Sequence, residues 1–69
     1  MTSDEYINIL RDECHEHLSE NKVRELDALF ASNDGRRIFL KLEELRVAKK
    51  IPSPRFEKTL TDFYWRFCN

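Results

Sequence analysis

The sequence predicts an all-α fold, a compact bundle of three to four helices in a single domain. Charged residues make up 36% of the 69 residues and hydrophobic residues 41%, with only one glycine and two prolines. The apolar residues recur at spacings of three and four, which indicates amphipathic helices and not strands. A chain of this size supports only one small core.

The first helix is predicted over residues 3–18. Thr2 and Glu5 match the capping-box pattern, a hydroxyl followed three residues later by a glutamate, which favours a helix start. The residues expected on its buried face are Ile7, Leu10, Cys14 and Leu18, with Tyr6 and Ile9 at the edges. The acidic residues expected on the opposite face are Asp12, Glu13, Glu16 and Glu20.

The second helix is predicted over residues 20–32. Ser19 or Asn21 can cap its start, because both side chains accept hydrogen bonds from free N–H groups. The residues expected on its buried face are Val23, Leu26, Leu29 and Phe30. It should end at Asn33-Asp34-Gly35, since Asn and Gly tolerate the left-handed backbone that terminates helices.

The third helix is predicted over residues 35–50, with Asp34 as its N-cap. An Asp-Gly pair is also a hairpin signal, so a strand over residues 36–42 is the alternative. The helix is favoured because Leu42, Leu45 and Ala48 follow at helical spacing, and no second alternating segment could pair with a strand.

The fourth helix is predicted over residues 54–67, after the break at Ile51-Pro52-Ser53-Pro54. Ser53 and Pro54 suit the N-cap and first helical positions. The residues expected on its inner face are Phe56, Leu60, Phe63 and Phe67. Trp65 lies off this face, and Tyr64 lies at its border.

Charge is divided unequally along the chain. Residues 1–35 carry three basic and nine acidic side chains, a net charge of −6. Residues 36–69 carry nine basic and four acidic side chains, a net charge of +5, which gives the −1 of the whole chain. This asymmetry indicates either polyelectrolyte binding and charge-steered association, or helices that complement each other inside one bundle.

The N-terminal residues and the hydropathy pattern indicate a cytoplasmic protein. No apolar segment approaches the ~20 residues that span a bilayer, and the acidic N-terminus lacks the features of a secretory signal. We therefore expect no membrane partner, and reduced thiols at Cys14 and Cys68. Because the chain begins with Met1, we expect a complete small product, of the kind that phages, plasmids or viruses encode as accessory proteins.

No metal site, cofactor or enzymatic activity is predicted. Cys14 and His17 share a helix face, but a structural zinc ion needs four ligands and no second pair is present. A catalytic triad needs a base oriented by a third group within a pocket, which four short helices hardly provide. A single glycine also excludes phosphate-binding glycine-rich loops.

The favoured function is that of a small non-catalytic regulator or inhibitor that binds a protein partner. Aromatic residues and arginine are enriched in interface hot spots. The residues expected to bind the partner are Trp65, Arg66, Arg55 and Tyr64. The alternative is a nucleic-acid-binding regulator, in which the residues facing phosphates would be Arg36, Arg37, Lys41, Lys49 and Lys50. Self-association is a third expectation, since an acidic and a basic half can pair between chains.

Three short segments resemble stretches of the small enterobacterial Hha/YmoA nucleoid regulators. They are Asp4-Glu5-Tyr6, Leu18-Ser19-Glu20-Asn21 and Lys50-Ile51-Pro52-Ser53. Their order agrees with that family, while the spacings differ and this chain continues past the point where the family ends. The resemblance implies a helical protein that modulates a DNA-binding partner. We make no family assignment from it, because the shared residues are mostly capping and turn types.

Overall fold

The computed structural model describes residues 2–68 and contains four α-helices within them. The helices are α1 (Ser3–His17), α2 (Glu20–Ala31), α3 (Gly35–Val47) and α4 (Pro54–Phe63), and a π-helical segment, Tyr64–Cys68, continues α4. No strand occurs in this range, so the predicted all-α bundle is confirmed and the strand alternative is wrong. None of the helices between Thr2 and Cys68 is long and apolar enough to cross a membrane.

Side-chain caps begin three of the four helices. The Thr2 hydroxyl accepts a hydrogen bond from the Glu5 amide, and the Glu5 carboxylate reaches back to the Thr2 amide, which completes a capping box. Asp34 caps α3 and Ser53 caps α4, each by accepting from the amide three residues on. Ser19 is the N-cap of α2, but its side chain makes no capping hydrogen bond.

The C-terminus of α3 comes three residues earlier than the predicted residue 50. Lys49 adopts a left-handed backbone with φ of 57°, and its amide donates to the Arg46 carbonyl at 3.1 Å. The Lys50 amide donates to the Leu45 carbonyl at 3.0 Å. These two bonds form a Schellman motif, which normally places glycine where Lys49 stands. The chain then turns into Ile51, which is buried.

A left-handed residue also ends α2, and it is Asn33, with φ of 59°. Gly35 has no positive φ and is the first residue of α3. A Cβ atom at position 35 would meet Phe63 and Cys68 only at ordinary van der Waals distance. The single glycine is therefore not the residue that stops the second helix.

The four helices form a closed arrangement in which each packs against its two neighbours. α1 contacts α2 and α4, while α3 contacts α2, α4 and the π-helical segment. One hydrophobic core fills the centre. Its buried members are Tyr6, Leu10, Cys14, Leu26, Phe30, Ile38, Leu42, Leu45, Ile51, Phe56, Leu60 and Phe63.

The buried face of α1 is rotated from the predicted one. Tyr6 is buried although it was expected at the edge, whereas Ile7 is only half-buried. Glu13, expected on the solvent face, is 5% exposed, so that expectation is wrong. The spacing already contained the signal, because Glu13 lies three residues after Leu10 and seven after Tyr6 and therefore shares their face. Ala48 also differs from expectation, since it is exposed.

Candidate interaction surface

The change from α to π geometry at Tyr64 sets the direction of the last aromatic side chains. A π-helix bonds each residue to the fifth along, so its turn is wider than that of an α-helix. In this wider turn, a residue four positions further along the chain does not return to the same face of the helix. Phe63 is 1% exposed, while Phe67 is 42% exposed and was wrongly predicted to point inward. Phe67 packs at the rim of the core, edge-on to Tyr6.

Three aromatic rings pack in series where α3 meets the π-helical segment. The rings of Phe39 and Tyr64 have centroids 4.6 Å apart, and Tyr64 meets Trp65 edge-on at 5.6 Å. Phe39 and Tyr64 are half-buried, whereas Trp65 is 63% exposed. Tyr64 therefore contacts the exposed indole of Trp65 on one side and the Phe39 ring on the other.

Two further large apolar side chains are exposed on α3. Leu40 and Val47 are 58% and 67% exposed and border one shallow depression. They lie seven residues apart and therefore on one face of α3. We call the residues Phe39, Leu40, Val47, Tyr64 and Trp65 the aromatic surface. Four large hydrophobic side chains are exposed among the residues that the structure describes. Three of them, Leu40, Val47 and Trp65, belong to this surface.

The structure brings together only part of the predicted partner-binding set. Trp65, Arg66 and Tyr64 are consecutive in the π-helical segment, and the Arg66 side chain is exposed. Arg55 lies in the first turn of α4, ten residues before Trp65, which corresponds to about 15 Å along a helix axis. Arg55 is therefore separate from the aromatic surface, while Phe39 and Leu40 of α3 belong to it and were missed.

The five predicted nucleic-acid-binding residues point in different directions. Arg37 and Lys41 lie one turn apart on one face of α3, and Lys41 borders a groove of about 520 Å³ together with Lys50. Arg36 lies beside Cys68, on another side of α3. Lys49 borders the turn between α3 and α4. The basic residues thus form no single compact patch.

Ion pairs among residues 2–68 remain within each half of the chain. Lys22–Glu25 and Arg24–Glu20 lie within α2, and Lys41–Glu44 and Arg46–Glu43 within α3. The pair that joins two helices, His15–Asp27 at 3.2 Å, connects α1 and α2, which both belong to the acidic half. Direct pairing inside this part of the chain therefore does not neutralise one half with the other.

The two cysteine thiols are free and have different surroundings. Cys14 is fully buried, and burial, followed by the negative charges of Asp27 and Glu13, raises its pKa to about 12. Cys68 is half-buried and donates a hydrogen bond to the Gly35 carbonyl at 3.3 Å. Burial also raises the pKa of Cys68, against the opposing effect of the Arg36 charge. Neither environment favours the reactive thiolate.

His17 lies close to acidic side chains, with its Nε2 atom 3.6 Å from Glu13 Oε2. The potential ligand atoms of Glu13, Glu16 and His17 lie within 4.8 Å of one another at the end of α1. No other such group of three occurs among the residues that the structure describes.

No protein-family model, curated protein or solved structure matches this chain.

Proposed function

We propose that this protein is a non-catalytic regulator or inhibitor that binds a protein partner through the aromatic surface. The observation that carries the proposal is the exposure of Trp65 on a support of packed rings. Tryptophan, tyrosine and arginine are the residue types that dominate binding energy at protein interfaces.

The arrangement of the rings supports binding in two ways. Tyr64, which itself packs on Phe39, restricts the side chain of Trp65 before a partner arrives, so less conformational entropy is lost on association. Burial of a large aromatic side chain removes about 150–250 Å² of surface from water. Leu40 and Val47 extend the apolar area, and Arg36 and Arg66 provide charge near its edge.

Affinity capture from a lysate of the source organism tests this proposal. The wild-type chain and Trp65→Ala are immobilised at low and at moderately high salt, with and without nuclease. We expect one protein to be retained by the wild type after nuclease treatment and at higher salt. Loss of a hot-spot residue costs at least about 2 kcal/mol, roughly a thirtyfold weaker affinity, so Trp65→Ala should lose that protein.

Glu25→Ala is the matched control, because Glu25 is exposed on α2 and outside the aromatic surface. It should retain the partner as the wild type does. Equal retention by Trp65→Ala and Glu25→Ala would refute the proposed surface.

Nucleic-acid binding is the second candidate function, favoured by the basic side chains that make no ion pair within residues 2–68. Arg36, Arg37, Lys49 and Lys50 belong to this group. Contacts to phosphates would make log affinity fall with log salt by about 0.9 per neutralised phosphate of a duplex. Recovery of nucleic acid that is lost at higher salt and indifferent to Trp65→Ala would favour this function over the first.

A further inference from the structure

The side of α3 that faces away from the core carries exposed apolar side chains between charged ones. Leu40 and Val47 are 58% and 67% exposed. Arg37 and Glu44 are also exposed and lie on the same side, because residues at spacings of three, four and three return to one face of a helix. We call these four residues the outer face of α3. In chain order they are an arginine, a leucine, a glutamate and a valine.

The outer face of α3 contains both a protruding side chain and a depression of matching kind. The depression has a volume of about 620 Å³ and is bordered by Leu40, Glu43, Glu44, Val47 and Ala48. Its first four residues occupy helix positions i, i+3, i+4 and i+7. In helix pairs, four residues of one helix form the hole that receives a side chain of the facing helix. Leu40 borders this hole and is itself exposed enough to enter an identical one, so the face is complementary to itself.

The charges of the outer face match those of a second copy placed antiparallel to it. When each Leu40 enters the hole of the other copy, Arg37 of one copy lies about 4 Å along the helix axis from Glu44 of the other. Arg37 makes no ion pair within residues 2–68. Glu44 lies 3.6 Å from Lys41, but 73% of its side chain remains exposed. Each dimer therefore gains two symmetric pairs of opposite charge.

We propose that the outer face of α3 is the interface of a homodimer, in which two copies of this chain pack α3 against α3 about a two-fold axis. A closed two-fold dimer requires a face that complements itself, and this face does so in shape and in charge. Because α3 has 13 residues and is about 20 Å long, the contact is smaller than that of a permanent dimer. The association is therefore weak and reversible.

This inference goes beyond the proposed function and does not depend on it. The dimer uses Leu40 and Val47, two residues of the aromatic surface, whereas Trp65 carries the proposed function. Phe39, which packs on Tyr64, lies about 100° around α3 from Leu40. The dimer forms from the purified chain alone, so its failure and the failure of the Trp65 interface are measured separately.

Sedimentation equilibrium of the purified, untagged chain over a concentration series tests the dimer. We expect the mean mass to rise from that of a monomer in the micromolar range towards twice that mass at about 1 mM. Leu40→Glu should weaken dimerisation at least about tenfold, because it places a carboxylate beside Glu43 and Glu44 of the second copy. Leu40 is exposed, and circular dichroism verifies that the variant is folded.

Charge reversal at the two ends of the face tests how the helices are placed. Arg37→Glu and Glu44→Arg should each weaken the homodimer at least about tenfold, because each variant sets two pairs of like charge together. An equimolar mixture of the two variants should dimerise again, since both pairs of the mixed dimer then join opposite charges. Arg55→Glu is the matched control, an equal change of charge at an exposed position of α4, and should dimerise as the wild type does.

Three results would overturn the homodimer. The chain stays monomeric throughout the series, Leu40→Glu dimerises like the wild type, or the mixture of charge variants associates no more tightly than either variant alone. A dimer that Arg55→Glu weakens as much as Arg37→Glu does would also contradict the inference, because net charge and not the outer face of α3 would then control association.

Discussion

At the scale of single residues, Lys49 shows that this chain ends a helix at an energetic cost. A residue other than glycine pays about 1–2 kcal/mol for the left-handed conformation, because its Cβ approaches the following carbonyl. Two hydrogen bonds that cap α3, from the amides of Lys49 and Lys50, hold the conformation in place. The turn they form directs Ile51 into the core.

Lys49→Gly should stabilise the protein by about 0.5–1 kcal/mol, because glycine adopts this backbone without the steric cost. For a domain of this size, such a change raises the melting temperature by about 2–8 °C. Lys50→Gly is the control, since Lys50 has no positive φ and gains nothing from glycine. Urea unfolding of both variants measures the difference. Equal or lower stability of Lys49→Gly relative to Lys50→Gly would contradict the explanation.

The buried thiol of Cys14 gives a pH dependence with a definite sign. Its pKa is raised from 9.0 to about 12 in the folded state, so the folded protein keeps the proton after the unfolded chain has lost it. Its contribution to stability is therefore complete below pH 9 and is lost as the pH rises towards 12. The loss of stability per pH unit is steepest between these two pKa values.

Urea unfolding at pH 8 and pH 10.5 tests this contribution in a Cys68→Ser background. Between these two pH values, the protein with Cys14 should lose more stability than the Cys14→Ala variant. Lysines and tyrosines titrate in both proteins, so the difference between the two losses reports on Cys14. If the two proteins lose the same amount, Cys14 is accessible enough to ionise in the folded state.

At the scale of helices, two N-cap serines of similar backbone conformation differ in whether the side chain makes a capping hydrogen bond. Ser53 and Ser19 are both N-cap serines with extended backbone, but only Ser53 accepts a hydrogen bond from its helix, from the Phe56 amide at 3.3 Å. The same substitution at the two sites therefore isolates the value of that bond.

Ser53→Ala should destabilise the protein by about 1 kcal/mol, the usual cost of an N-cap that is lost. Ser19→Ala should cost clearly less, because no side-chain bond is removed. Thermal and urea unfolding of the two variants provide the measurement. Similar losses of stability at both positions would show that the Ser53 hydrogen bond does not stabilise the protein.

Much of the fold follows from local sequence rules, and the candidate surface follows only in part. Caps at Thr2, Asp34 and Ser53 are visible as residue types at fixed offsets from apolar stripes, so the helix starts could be predicted. The π-helical turn after Phe63 has no such signal, because it depends on how the last turn packs against α3. The contact between Phe39 and Tyr64 joins residues far apart in sequence and was therefore missed.

At the scale of the whole molecule, the four helices pack on a common apolar core, but their charges are distributed unequally between the two halves of the chain. The acidic pair of helices, α1 and α2, and the basic pair, α3 and α4, share one core but exchange no ion pair within residues 2–68. The molecule therefore keeps the electrostatic field of two oppositely charged halves, which the ion pairs of this part of the chain do not cancel. Such a field accelerates and orients association with a charged partner, including a second copy.

The proposed function requires that a protein partner covers Trp65, which is the single tryptophan of the chain. The most direct test is ¹⁹F NMR of the 5-fluorotryptophan-labelled chain, titrated with the partner obtained by affinity capture. We predict that the single resonance shifts and broadens in proportion to complex formed, as measured independently by sedimentation. A complex that forms while the resonance remains unchanged would contradict the claim and would place the interface elsewhere on the molecule.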